Sequence, residues 1–291
     1  MKQARISHLR ASHLQVSHLQ VSVVVDNWVA QRDFRGEHGL AFCIEKDGKS
    51  FLFDTGQSIE IFTHNAAALG MDFTALEGVF LSHGHYDHTG GLPAVAGGRQ
   101  GLPVYLHPRV WQEKYAAGEE RPRYIGLPWQ REELEQKGMV FFSSPKPVEP
   151  APGLMLSGEI PFSTDFAGRP QGFLLKQKEG FRDDHILDEQ ALFIKGPQGL
   201  VVLLGCGHRG VVNTLRQAVK LTGERVQAVI GGMHLEESSP ETIAATAGYL
   251  RETGVALVAP LHCTGPEAVF TLREILGQRL KPAGAGTIFE F

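Results

Sequence analysis

Between Leu81 and Gly91 the chain reads LSHGHYDHTGG and sets His83, His85, Asp87 and His88 within six residues. Imidazoles and carboxylates crowded this closely gain nothing as bare neighbours, but each is a ligand for a divalent metal. In an extended segment, residues two apart project to the same side. His83 and His85 can therefore pinch one ion. If the chain turns into a helix after Asp87, that carboxylate and His88 face a second ion beside the first. Gly84 permits a tight turn, and Gly90-Gly91 a close backbone approach. Neutral imidazole nitrogens with one carboxylate suit Zn²⁺ first, and Fe or Mn where oxygen ligands predominate. Two ions about 3.5–4 Å apart can share a hydroxide and polarise a substrate oxygen together, which gives the crowding a purpose.

Such ligands need a scaffold that brings distant segments together. From Val21 onward, short apolar runs are each halted by a turn, a potential ligand, or both. Residues 21–25 lead to Asp26-Asn27, and 40–45 with 49–53 flank Lys46-Asp47-Gly48, which predicts a β-hairpin. Asp54-Thr-Gly56 follows, then a helix over 59–69 stopped by Gly70, then a strand over 78–81 that runs into the histidine cluster. The second half repeats this grammar. Residues 199–204 end at Gly-Cys206-Gly-His208, and a helix over 211–221 closes at Gly223. Residues 226–230 end at Gly-Gly-Met-His234. After a helix over 240–252, residues 255–259 end at Pro-Leu-His262-Cys-Thr-Gly265. In α/β sheets, functional groups collect where strands give way to loops at their carboxyl ends. The exits thus deliver Asp54, the cluster at 83–88, Cys206 with His208, His234 and His262 to one sheet edge.

Residues 108–161 differ in character. They are proline-rich, carry Trp111, Tyr115, Tyr124 and Trp129, and show a charged helical stretch near 130–137 but no long apolar period. They are expected to form an insertion or cap over the site, within one domain spanning 21–291. Their aromatics either stack on a planar substrate or fasten the insertion to the body. Residues 7–20 hold a five-residue repeat, SHLRASHLQVSHLQ, with His8, His13 and His18 in register. Five residues advance a helix by about 500°, so these imidazoles share no helical face, and an odd period alternates them across a strand. The repeat predicts a disordered leader over 1–20 rather than a metal-binding array.

The net charge of −4, with lysine and arginine scattered, lacks the basic stripe of a nucleic-acid binder. No apolar run reaches the roughly 18 residues of a membrane span. Three cysteines, Cys43, Cys206 and Cys263, are too few for a disulfide framework and suit a reducing compartment such as the cytoplasm. The expected partner is a small-molecule substrate, not nucleic acid or membrane, and a homo-oligomer is compatible with the composition.

The segment His83-Gly-His85-Tyr-Asp87-His88, preceded by Phe53-Asp54-Thr-Gly56, resembles the signature of the metallo-β-lactamase superfamily. The resemblance runs over nearly the whole chain from about residue 21. It implies an α/β fold, a four-layer αββα sandwich with a dimetal site at the edge where two sheets meet. It also implies that His83 and His85 hold one metal, that Asp87 and His88 hold the other, and that His262 completes the second site. Asp54 would fix the cluster from behind by hydrogen bonds. Cys206 stands where the superfamily often has a bridging aspartate, so a thiolate would bridge or ligate there. For the third histidine of the first metal, His208 is preferred, because it shares a loop with Cys206 and abuts a helix N-terminus that favours neutral imidazole. His234 and His185 are the alternatives. Within the superfamily, Glu37-His-Gly-Leu40, residues 65–70, Gly158-Glu-Ile-Pro161, residues 205–213, Gly231-Gly-Met-His-Leu235 and His262-Cys-Thr-Gly265 are similar to motifs of the 7,8-dihydropterin-6-methyl-4-(β-D-ribofuranosyl)aminobenzene-5′-phosphate synthase group. That group is associated with joining a pterin to an arylamine ribosyl phosphate.

The resulting expectation is metal-assisted hydrolysis of an ester, lactone, amide or phosphoester by a hydroxide held between two ions. Asp87 would orient the hydroxide and His234 would protonate the leaving group. One alternative is pterin transfer, with a diphosphate as leaving group; another is a ligand sensor built on a degenerate metal site. The helix opening after His208, with Arg209 beside it, offers the substrate an anion site, against the plainer reading of a helix cap with a solvated arginine. His38 and His107 either line the same mouth or are imidazoles satisfied locally.

Overall fold

The computed structural model describes residues 18–166 and 170–291. The first eleven positions of the repeat at 7–20 and the proposed leader up to residue 17 lie outside the described residues. The first half of the chain runs through β1 (Leu19–Val25), β2 (Ala41–Lys46), β3 (Lys49–Phe53), α1 (Ile59–Ala68), β4 (Leu76–Phe80), α2 (Tyr86–Thr89), α3 (Leu92–Val95) and β5 (Leu102–Leu106). It continues with β6 (Lys114–Ala116), β7 (Arg123–Tyr124), α4 (Arg131–Gln136), β8 (Met139–Ser143), β9 (Val148–Ala151) and β10 (Leu154–Leu156). The second half holds β11 (Phe173–Gln177), β12 (Gly180–Asp183), β13 (Ala191–Gly196), β14 (Gly199–Leu204), α5 (Val211–Thr222) and β15 (Val226–Gly232). It ends with α6 (Pro240–Glu252), β16 (Leu257–Leu261), α7 (Pro266–Leu276) and β17 (Ile288–Glu290).

Two sheets carry the fold: one in the order β17-β1-β2-β3-β4-β5-β8, the other in the order β16-β15-β14-β13-β10-β9. The side chains of β14 show how they stack. Leu200, Val202 and Leu204 join the cluster that includes Val211 and Leu215 of α5 and Leu250 of α6. Val201 and Leu203 face the other way, into a cluster with Phe42, Phe53 and Phe80 of the first sheet. A strand buried on both faces must be apolar throughout, which is why GLVVLL reads as an unbroken run. On the far side of the first sheet, Phe62 and Ala66 of α1 pack with Cys43, Leu52 and Val79. The result is the four-layer αββα sandwich. Each fully buried phenylalanine or leucine at these interfaces contributes roughly 1.5–3 kcal/mol.

Local signals set most element ends. The Ser58 hydroxyl caps α1 by accepting from Ile61 N, and α5 stops at Gly223, whose left-handed φ of 70° lets its N–H reach Val219 O. β16 begins at Leu257, not at Val255, because its parallel register with β15 starts at Ala228↔Leu257.

Residues 108–161 do not form one insertion. β8 extends the first sheet in parallel beside β5, and β9 with β10 forms the edge of the second. The part over the site is a third sheet in the order β12-β11-β6-β7, built from two strands inside the expected segment and two that follow it. Its pairings, such as Phe173↔Ala116, join strands more than fifty residues apart, and no local pattern announces them. The aromatics of the segment fasten it down. Trp111 packs edge-on to Phe141, Trp129 Nε1 donates to Gly90 O, and Tyr115 packs against Tyr124 and Phe181.

Candidate metal centre

The site is assembled from strand exits at the carboxyl ends of β1, β3, β4, β14, β15 and β16. Three non-glycine residues there hold left-handed backbone: Asp54 at φ 62°, His234 at 46° and His262 at 49°. Backbone of this kind costs of order 1–3 kcal/mol per residue and persists only where the surroundings impose it.

Behind the ring cluster lies a set of acceptors that fixes each ring's tautomer. Buried Asp54 accepts from Ser82 N, Ser82 Oγ and His88 Nδ1, each at 2.7 Å. Because Ser82 gives its hydroxyl proton to Asp54, its oxygen is left to accept from His83 Nδ1 at 2.8 Å. At β16, Asn27 Oδ1 accepts from His262 Nδ1 at 2.8 Å, and Asp26 Oδ1 holds His262 N at 2.8 Å. His83, His88 and His262 are thereby committed at Nδ1, and each turns its Nε2 into the same small volume.

Into that volume also point Cys206, 3.2 Å from His88 Nε2, and Asp87, whose Oδ2 is 3.3 Å from His262 Nε2 and 3.8 Å from His88 Nε2. Ligand atoms of Asp87, His88, Cys206 and His262 all lie within 4.8 Å of one another, and so do those of His83, Cys206 and His208. His85 turns Nδ1 to within 2.9 Å of His83 Nε2. The donor set fits divalent ions on its own chemistry. Among the described residues, both ring nitrogens of His208 and the Nε2 of His85 are buried without a hydrogen-bond partner, a costly state unless a cation takes the lone pairs.

The electrostatics agree. Burial, with the neighbouring imidazoles, holds His83 and His208 well below the ordinary histidine range. Burial and Lys114 bring His85 down to about 3, so all three are neutral ligands at pH 7. For His88, burial acts downward but the carboxylates of Asp54 and Asp87 outweigh it and hold the ring at about 9. Burial would raise Asp87, but His88, His262 and His38 keep its carboxyl well below the usual range. The proton on His88 is what a cation would replace. Burial also pushes the Cys206 thiol up, and a bound ion would reverse this by taking the thiolate.

Comparison with known proteins places this geometry. A model of the beta-lactamase superfamily domain matches residues 49–182. The crystal structure of Tm1679, described as a metal-dependent hydrolase of the beta-lactamase superfamily, superposes with a TM-score of 0.81 at 32% identity, covering 94% of this chain and 99% of that one. The chain belongs to the metallo-β-lactamase superfamily. The 7,8-dihydropterin-6-methyl-4-(β-D-ribofuranosyl)-aminobenzene-5′-phosphate synthase of Methanocaldococcus jannaschii is 31% identical over 268 residues, which is 89% of this chain and 91% of that protein. Zn²⁺-bound PqqB from Methylobacterium extorquens shares the fold alone, with a TM-score of 0.57 at 13% identity. Superfamily membership and the synthase relative make this chain an enzyme of a metal-dependent fold. Among the described residues, no helix is long and apolar enough to cross a membrane.

In this superfamily member the remaining sequence candidates separate. His234 stands beside His208, ring centroids 4.2 Å apart, while His185 is exposed and gives its carbonyl to Arg209 Nη1. His38 lies at the mouth with Nε2 3.2 Å from Asp87 Oδ2. His107 does not reach the site; it caps a short helical turn through Arg109 N and pairs with Glu159. Arg209 corrects the anion-site expectation. Its guanidinium turns inward to Ile160 O, His185 O and the Phe162 ring. The backbone donors before α5, Gly207 N and Arg209 N, are already taken by the buried Glu189 carboxylate at 2.6 and 2.7 Å.

Sequence reasoning missed Ser82, Asn27, Cys263 and Phe173. Asn27 did carry a signal, being a polar strand exit like the others, and Cys263 adjoins His262. Ser82 and Phe173 carried none. A cavity of about 310 Å³ opens over the cluster, lined among others by His38, Tyr86, Arg123, Phe173, His234 and Cys263.

Proposed function

We propose that this chain is a hydrolase dependent on two divalent ions, Zn²⁺ being the first expectation, and that it cleaves an ester, lactone, amide or phosphoester of a small molecule. The observation that carries this reading is the convergence of three Nδ1-committed imidazoles, His83, His88 and His262, on Cys206 and Asp87. The similarity to Tm1679, which is described as a metal-dependent hydrolase, supports it. His83, His85 and His208 would hold one ion and Asp87, His88 and His262 the other, with Cys206, a member of both ligand groups, between them. Bound there, the ions would supply water of lowered pKa and positive charge for a developing oxyanion. Asp87 would orient the attacking nucleophile through Oδ2. His234, which lines the cavity with Nδ1 unpartnered, would pass a proton to the leaving group.

The test is elemental analysis of gently purified protein, together with hydrolysis of a panel covering the four bond types. About two transition-metal ions per chain and turnover abolished by His83→Ala with His88→Ala support the reading. Absence of metal overturns it. Stoichiometric metal with ligand-dependent melting but no turnover would make the protein a sensor instead.

A second reading is favoured by the 31% identity to the M. jannaschii synthase. Here the same centre would join a dihydropterin diphosphate to an arylamine ribosyl phosphate. Diphosphate release that requires the arylamine, and is not sustained by water alone, would select this reading over hydrolysis.

A further inference from the structure

The cap sheet sets three residues from three strands side by side. Phe173 of β11 lies opposite Ala116 of β6, and Ala116 lies opposite Arg123 of β7. Cross-strand partners share a face of a sheet, and all three line the cavity over the ring cluster. The next row, Leu174, Tyr115 and Tyr124, belongs to the other face, where the two tyrosine rings pack at 5.3 Å.

The same alternation sends Lys114 to the cavity side. There its Nζ binds Asp184 and Asp188 at 2.8 Å each, while Asp188 Oδ2 holds Gly84 N between the two metal-site histidines. A second tie lies just after β7, where His85 pairs with Gly126 and Tyr86 N donates to Ile125 O at 3.0 Å. The row is therefore held in a fixed place relative to the centre.

Its chemistry is graded. Phe173 stacks on His85 with centroids 5.5 Å apart, forming an aromatic wall next to the imidazoles. Ala116 leaves a notch. Arg123 is the one described lining residue with a permanent positive charge, and among the described residues no carboxylate lies within ion-pair distance of it. Its guanidinium carbon sits 6.0 Å from the Tyr86 ring centroid. The exposed acids of the lining, Glu236 and Glu237, come from the loop after β15 and disfavour an anion near themselves.

We propose that Phe173, Ala116 and Arg123 form a substrate subsite for a flat ring bearing an anionic group, with the ring in the notch beside Phe173 and the anion on Arg123. Two cross-strand steps of about 4.5–5.5 Å span the row, enough for one ring and its substituent. The proposal rests on the metal-centre reading only in that the other end of the substrate must reach the ions.

Two non-hydrolysable probes test it by calorimetry on the metal-loaded protein: 4-phosphonobenzoate, anionic at both ends of a ring, and phenylphosphonate, anionic at one. Wild type should bind the first about tenfold more tightly, the low end for a charge-assisted hydrogen bond. Arg123→Gln should bind both alike, at the wild-type phenylphosphonate affinity, with metal content and melting temperature unchanged, and Arg123→Lys should restore part of the preference. Ala116→Leu should weaken both probes. A wild type without preference, or a preference that survives in Arg123→Gln, overturns the subsite. Metal content in the same samples shows separately whether the metal-centre reading has failed.

Discussion

Replacing Asp54 with Asn tests whether the ring cluster is built to hold cations. The carboxylate accepts three hydrogen bonds: from Ser82 N at Oδ1, and from Ser82 Oγ and His88 Nδ1 at Oδ2, all at 2.7 Å. An asparagine keeps one oxygen for the Ser82 amide but turns an NH₂ toward the other two donors. Two hydrogen bonds to a charged group are lost, worth about 1.5–3 kcal/mol each, or about 3–6 kcal/mol together. The imidazole of His88 must then accept at Nδ1 and carry its proton on Nε2, the atom 3.2 Å from Cys206 Sγ, where a proton blocks ligation. Loss of such a supporting partner typically lowers metal affinity about 10–100-fold. Competition against a chromophoric zinc chelator measures that drop, and urea unfolding of the metal-free protein measures the stability change, expected at about 3 kcal/mol or more. Unchanged metal affinity alongside reduced stability would refute the reasoning, because Asp54 would then be supporting backbone alone.

Further outcomes follow from the same contacts. Cys206→Ala should lose at least one ion and the thiolate-to-cobalt charge-transfer band of Co²⁺-loaded protein, whereas Cys206→Asp should retain both ions without the band; a band that persists in either variant would remove Cys206 from the ligand set. Lys114→Met strands Asp184 and Asp188 as uncompensated buried charges and should destabilise the fold by about 3–5 kcal/mol in denaturant unfolding. Because burial lowers His85 from 6.5 to about 3, its contribution to metal-free stability is complete above 6.5 and is lost as pH falls from about 6.5 through about 3. His85→Gln should flatten the acid limb of the pH–stability curve over that window, and an unaltered slope would contradict the assignment.

The part of the site that was legible in sequence is the part encoded by spacing. His83, His85, Asp87 and His88 are neighbours in the chain, and the strand exits at Asp54, Cys206, His234 and His262 show as apolar runs that end in a ligand-type residue. The αββα layering was expected only through the superfamily resemblance; a strand buried on both faces, such as GLVVLL, shows in sequence as an unbroken apolar run, but the run does not say how many layers stack on it. The Arg209 site was misread because a local pattern, arginine beside a helix start, says nothing about Glu189, which arrives 18 to 20 residues upstream and fills the same donors.

What the sequence determined by itself is which side chains can ligate and which strand ends carry them, because ligand spacing and two-faced burial are properties of a local run of residues. Which imidazole nitrogen faces the centre was decided only by the tertiary structure. That choice belongs to acceptors distant in the chain, such as Asn27 behind His262 across 235 residues and Asp54 behind His88 across 34. The same holds for the cavity wall, where Phe173, Ala116 and Arg123 meet through strand register alone. For the tautomers of His88 and His262, as for the register, the pairing runs between distant segments, and no single stretch of sequence contains both partners; only His83 has its acceptor, Ser82, next to it in the chain.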